Sequence, residues 1–160
     1  MASEEIDPQI KSLIRYRQRV TDDPLRISIL AAHALIEEMI ELVIADAVPN
    51  SECFEVPKMQ FSRKLKILGA LKPPIEPLVL RNIEKLTSLR NAAAHRDYET
   101  LREERFRDLA EFFYPDPATR AARDRETLLE ESTEFCAGYL MGMQDRFRYL
   151  RQRSQEVKDV

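Results

Sequence analysis

The sequence predicts an all-α fold, an antiparallel bundle of about five to six helices, and three observations carry that expectation. Apolar residues recur at three- and four-residue steps through most of the 160-residue chain, and no stretch alternates apolar and polar residues with the period of a strand. The nine prolines bunch between those periodic stretches, where they open or end helices rather than interrupt them. Glycine is scarce: only Gly69, Gly138 and Gly142 occur, whereas an average usage of roughly 7% gives about eleven. Phosphate loops, dinucleotide turns and strained nucleophile elbows need clustered glycines, so P-loop, Rossmann and G-x-S-x-G chemistries are disfavoured.

Taken in order, the first helix is expected from Pro8 to Val20, opened by Asp7-Pro8 and carrying Ile10, Leu13, Ile14 and Val20 on one side, with Arg15, Arg17 and Arg19 exposed. Asp23-Pro24 opens the second, which runs to about Ala47 with Leu25, Ile29, Ala32, Ile36, Met39, Ile40 and Val43 in one stripe. Leu30, Ala34, Leu35 and Leu42 add apolar surface beyond that stripe, as expected of a helix that is central to a bundle or also part of an oligomer interface. The third spans about Lys58 to Leu71 with Phe61, Leu65 and Leu68 inward; Arg63 and Lys66 point elsewhere, and Gly69 and Pro73-Pro74 end it. The fourth starts near Pro77, carries Val79, Ile83, Leu86, Leu89 and Ala93 inward, and continues at least to His95. The fifth runs from Glu99 to about Phe113 and stops before Tyr114-Pro115-Asp116-Pro117. A single long helix is expected from Thr119 to about Gln155, in which Gly138 and Gly142 form a smooth patch for close packing. Residues 1–118 then form the bundle, and 119–160 a C-terminal helix packed on the same single domain.

Cys53 and Cys136 are far apart without a C-x-x-C pairing, so neither a zinc site nor a disulfide framework is expected, and Cys136 reads as a small buried hydrophobe. The acidic start lacks the basic-then-apolar order of a secretion signal, which makes the cytoplasm the default compartment, and no apolar run suggests a membrane anchor. Net charge is only −3, yet nine basic residues face three acidic ones between Lys58 and Tyr98, a local +6 that leaves −9 for the remainder. Such a basic middle can hold a phosphate backbone while the acidic ends discourage promiscuous binding; an ordinary mixed-charge surface is the plainer reading.

Of the two histidines, His33 lies beside the apolar stripe of the second helix and reads as a core or interface residue. His95 stands near the end of the fourth helix in Arg90-Asn91-Ala92-Ala93-Ala94-His95, where Asn91 and His95 are i, i+4 neighbours and the alanines leave room for a ligand. Metal-free RNA cleavage needs a base near neutrality for the 2′-OH proton and a fixed cation for the phosphorane, the roles open to His95 and Arg90. Asn91 can orient the imidazole or donate to a phosphate oxygen. With eighteen arginines in the chain, an Arg five residues before a given His arises by chance roughly one time in ten, so the spacing alone is a weak signal.

The context adds to it. Arg90-Asn91-Ala92-Ala93-Ala94-His95, preceded by Leu86 and Leu89, resembles the Arg, four to six residues, His motif of HEPN domains. The apolar helix from Ile27 to Ile44 and Phe61-Ser62-Arg63-Lys64-Leu65 are similar to the mannitol operon repressor-like branch, and the resemblance covers about residues 8–113. It implies a HEPN-like α-bundle that forms a homodimer with both motifs facing one cleft, a composite metal-independent endoribonuclease site in a toxin or defence effector. Arg90 and His95 would be catalytic there, with Asn91 the polar residue beside them. RNA is then the substrate, contacted along its backbone by Arg63, Lys66, Lys85 and Arg96, and an antitoxin or regulatory protein is a possible partner. No cofactor or metal is implied. In some toxins of the family a tyrosine two residues after the His is modified by a partner nucleotidyltransferase; Asp97 holds that position here and Tyr98 follows it, which makes Tyr98 the modification candidate. The alternative is a non-catalytic HEPN-like or mannitol repressor-like regulatory module.

Overall fold

Asp23 shows why the first described helix starts where it does: its carboxylate accepts the Arg26 backbone N–H at 3.0 Å, and Pro24 occupies the first turn, where no N–H is required. The computed structural model describes residues 23–49, 51, 55–95 and 98–156; the helix expected over 8–20, Cys53, Arg96 and Asp97 lie outside them. Among the described residues the secondary structure is entirely helical: α1 (Pro24–Ala47), a 3-10 turn (Val56–Lys58), α2 (Phe61–Ala70), α3 (Pro77–Ala94), α4 (Tyr98–Phe113), α5 (Pro117–Ala121) and α6 (Arg125–Glu156).

The all-α expectation holds, and four boundaries differ from it, among them the start of α4 at Tyr98 rather than Glu99. Residues Val56–Lys58 form the separate 3-10 turn; Met59 and Gln60 are extended, so α2 begins at Phe61 rather than Lys58. His95 adopts φ −95°, ψ 163° and caps α3 instead of continuing it. The long C-terminal helix is broken into α5 and α6 by two local caps of the same form. Asp116 accepts from the Thr119 N–H at 2.8 Å, and Asp124 from the Thr127 N–H at 2.7 Å. The Thr119 hydroxyl, at 2.7 Å, together with its N–H holds Asp116 below its ordinary pKa, and the Thr127 N–H does the same for Asp124.

One core joins α1, α2, α3, α4 and α6. It contains Ile29, Ile36, Ile40 and Val43, Leu68, Val79, Ile83, Leu86 and Leu89, Phe106 and Leu109, and Leu128, Cys136, Leu140, Met143 and Phe147. Full burial of each such aliphatic or aromatic side chain contributes about 1.5–3 kcal/mol. Helix directions follow from the cross-links. Arg26 reaches Ala93 and His33 reaches Thr87, so α3 is antiparallel to α1. Asp46 meets Gln144 and Arg148, while Ser28 and Ala32 share a groove with Leu129 and Thr133, so α1 and α6 run parallel. Between α3 and α6 the buried Asn82 amide donates to the Ser132 carbonyl at 3.1 Å and accepts from the Ser132 hydroxyl at 2.9 Å. The same amide reaches Cys136 Sγ at 3.2 Å. Burial pushes the Cys136 thiol up to about 12, against the Asn82 contact, so it packs as a protonated, unreactive group.

The packing role expected of Gly138 and Gly142 is not what the fold shows: a Cβ at either position meets nothing within 4 Å. Both occupy the outer face of α6. On α1, the expected division between a buried stripe and further apolar surface is present, with Ile27, Leu35 and Leu42 each more than 40% exposed.

Candidate functional site

The last turn of α3 leaves carbonyl oxygens without intrahelical donors, and a guanidinium from another helix takes them. Arg26, 6% exposed on the apolar stripe of α1, donates through Nε to the Ala93 carbonyl at 2.5 Å and through Nη2 to the His95 carbonyl at 3.3 Å. Its charge also complements the negative end of the α3 dipole. The guanidinium lies 5.2 Å from the centre of the Tyr98 ring, which ties the start of α4 to the same point. Arg26 therefore holds His95 through its backbone carbonyl.

Arg90, Asn91 and His95 are all exposed at this end of α3. Arg90 Nη1 donates to Asn91 Oδ1 at 3.1 Å, so the two predicted site residues touch directly. Ala92 and Ala93 are buried beneath them. A rotation of about 100° per helical residue separates Arg90 from His95 by about 140°, so the two side chains leave α3 in different directions. Lys85, on the same helix, lies partly buried in a cleft against α4. Arg63 and Lys66 are exposed on α2, the helix that packs on the far side of α1 from α6. Tyr98 is 2% exposed, its ring between the guanidinium groups of Arg26 and Arg102. A modifying enzyme reaches that hydroxyl only if the start of α4 opens.

Beside Arg90, the three helices α1, α2 and α3 enclose a polar cluster that was not foreseen. The Lys64 ammonium, 1% exposed, is 2.5 Å from carboxylate oxygens of both Glu37 and Glu41. Burial lowers the Lys64 pKa, but the hydrogen bonds and charges of the two carboxylates outweigh it and hold the ammonium above its ordinary value. Lys64 therefore leaves the basic surface counted from the sequence. His33, 6% exposed, lies against the Phe61 ring at 4.6 Å. The Thr87 hydroxyl donates to the Ile83 carbonyl at 2.7 Å, and His33 Nε2 stands 3.5 Å from the Thr87 oxygen. Nδ1 is 4.0 Å from Glu37.

Burial and the nearby Arg90 charge hold His33 below its ordinary pKa of 6.5, with Lys64 acting in the same direction and Glu37 against it. The linkage has a defined sign: the folded state keeps His33 neutral while the unfolded chain takes up a proton. Its contribution is present above pH 6.5 and is lost as pH falls from there through the depressed folded value. Thermal melts from pH 7.5 to 5.0 are expected to show a fall in Tm that is smaller in His33→Gln. Parallel pH profiles for the two proteins would remove His33 as its source.

Among the described residues no group of three or more His, Cys, Asp or Glu side chains is arranged to hold a metal, and no helix is long and apolar enough to cross a membrane. Comparison of the chain with protein-family models, with curated proteins and with solved structures gives no match in any of the three.

Proposed function

We propose that this chain is a HEPN-type, metal-independent endoribonuclease with a composite site at a homodimer interface, its reaction carried by Arg90 and His95. The observation that supports this reading is the exposure of Arg90, Asn91 and His95 together at one helix end, with Arg90 bonded to Asn91 and the His95 backbone held by Arg26. The His95 imidazole takes the 2′-OH proton, the 2′-oxygen attacks phosphorus, and the Arg90 guanidinium meets the charge that builds on the phosphorane oxygens. The 5′-oxygen leaves with a proton from water. The products are a 2′,3′-cyclic phosphate and a 5′-hydroxyl. The purified chain is expected to cut mixed-sequence RNA in excess chelator to these ends and to leave 2′-deoxy substrates intact. RNA that survives under all these conditions, or cuts that leave 3′-hydroxyl ends, would contradict the reaction.

The divergence of Arg90 and His95 around α3 favours a site in which each chain gives one of the two groups. The exposed Ile27, Leu35 and Leu42 of α1 offer apolar surface for a second copy, with Ile27 next to the Arg26 anchor. Light scattering is expected to give twice the 18.7 kDa chain mass. Leu35→Glu with Leu42→Glu should return it to one chain and suppress cleavage along with the dimer. A monomeric protein that cleaves fully would refute the shared site.

A further inference from the structure

Between α3 and α4 the surface opens into a cleft of about 310 Å³, lined by Arg81, Glu84, Lys85 and Ser88 of α3 and by Arg105 and Asp108 of α4. Its groups are divided by chemistry. On the α4 wall the Arg105 guanidinium is held by Asp108 at 3.4 Å and by Glu104 at 3.6 Å, so its charge is already answered. On the α3 wall Arg81 makes one weak bond, at 3.4 Å, to its own helix's Pro77 carbonyl. Lys85 has no ion pair or hydrogen bond among the described residues. Arg81 and Lys85 are four residues apart and so stand on one face, with the Ser88 hydroxyl one turn further on. Two cations and a hydroxyl donor side by side match a phosphate, while Glu84 beside them on α3 and Asp108 across the cleft on α4 accept hydrogen bonds from sugar hydroxyls or a base amine. The volume is that of a small-ligand site, large enough for one nucleotide.

The position of the cleft relates it to the proposed reaction. Glu84, Ser88, Asn91 and His95 recur at three- and four-residue steps and form one stripe along α3. Ser88 to His95 is seven residues, about 10 Å along the axis, within reach of neighbouring nucleotides on a single strand. We infer that this cleft is a nucleotide subsite, in which Arg81, Lys85 and Ser88 hold the phosphate of a nucleotide next to the scissile bond. The inference rests on the RNA-cleaving reading for its place in the strand, but the phosphate and sugar recognition stands on the cleft itself.

Binding is measured on the full chain carrying His95→Ala, so that no cleavage intervenes. Adenosine monophosphate, inorganic phosphate and a fluorescent eight-nucleotide RNA are titrated in turn, with amide NMR signals as the readout. The monophosphate and the RNA are expected to move signals of residues 81–88 and 105–108, and inorganic phosphate to do so only at higher concentration. Arg81→Gln with Lys85→Gln should weaken RNA binding at least tenfold and reduce its salt slope by about one to two units, whereas Arg63→Gln with Lys66→Gln should not weaken monophosphate binding. Movement with the monophosphate but not the RNA assigns the cleft to free nucleotides and overturns its place beside the scissile bond. Shifts confined to residues 90–95, or none with any probe, overturn the subsite. The two readings fail separately: if wild type cleaves RNA and the Arg81/Lys85 variant cleaves it with unchanged KM, the subsite is lost and the reaction stands. A chain that binds nucleotide in the cleft and never cleaves loses the reaction and keeps the binding site.

Discussion

Replacing His95 with alanine is expected to lower RNA cleavage by about 10²- to 10⁴-fold, the range ordinarily supplied by a positioned general base. Arg90→Ala should cost a similar 10²- to 10³-fold, because a fixed cation acts where charge develops on the phosphorane. Arg90→Lys should recover only part of this, since it keeps the charge but loses the planar fork that meets two oxygens at once. Neither substitution disturbs the fold. Both side chains are exposed, and the Arg26 bond at His95 is to its carbonyl, which alanine also carries. Changes in stability should stay within about 0.5 kcal/mol, so a loss of activity reads out chemistry.

The proposed composite arrangement makes a sharper demand. When His95→Ala chains and Arg90→Ala chains are mixed and allowed to exchange, half of the dimers are mixed, and each mixed dimer holds one site with an intact Arg90 from one chain and an intact His95 from the other. Activity should then rise from near zero to about one quarter of wild type. A site built within a single chain gives no recovery at all, and that outcome would remove the shared site while leaving the two residues' roles open to the single-variant data.

What could be read from the residues divides by sequence distance. The start of α1 was legible because Asp23, Pro24 and Arg26 are neighbours, and Arg90-Asn91 with His95 because one helical turn and a half joins them. Lys64 was not, since the carboxylates that bury it stand 23 and 27 residues away. A trace was present all the same: Phe61, Lys64 and Leu68 follow the i, i+3, i+7 rhythm of a buried stripe, and Glu37 and Glu41 are i, i+4 on the facing helix. Arg26 is a similar case, a cation on the apolar stripe of α1 whose acceptors lie 67 and 69 residues on. The break before α6 was local and readable, because Asp-x-x-Thr occurs at Asp116 and again at Asp124, and both are helix caps. Gly138 and Gly142 show the opposite limit. Their spacing marks one helix face, but which face of α6 the bundle covers is decided by the other helices.

Lys64→Ala is expected to destabilise the protein by about 3 kcal/mol, the largest effect among substitutions away from the apolar core. Removing one member of a buried charge cluster ordinarily costs about 3–5 kcal/mol, because the remaining charges are left without compensation. Here Glu37 and Glu41 retain 32% and 23% exposure and regain some water, which places the loss at the lower end. The lost side-chain stem adds to it through packing. In a domain of this length the result is a Tm lower by about 6–12 °C. The cause can be separated from simple cavity formation. Lys64→Met keeps most of the stem and still leaves two carboxylates facing each other, so it should be nearly as damaging at neutral pH. Its carboxyl groups would have their pKa raised by mutual repulsion and by burial, so stability should improve as pH falls from 7 toward 5, opposite to the wild-type trend set by His33. Adding Glu37→Gln and Glu41→Gln to Lys64→Met should restore most of the loss, in strong excess over additivity. If Lys64→Ala melts within 2 °C of wild type, or the triple variant is no more stable than Lys64→Met, the buried cation does not hold α1 and α2 together.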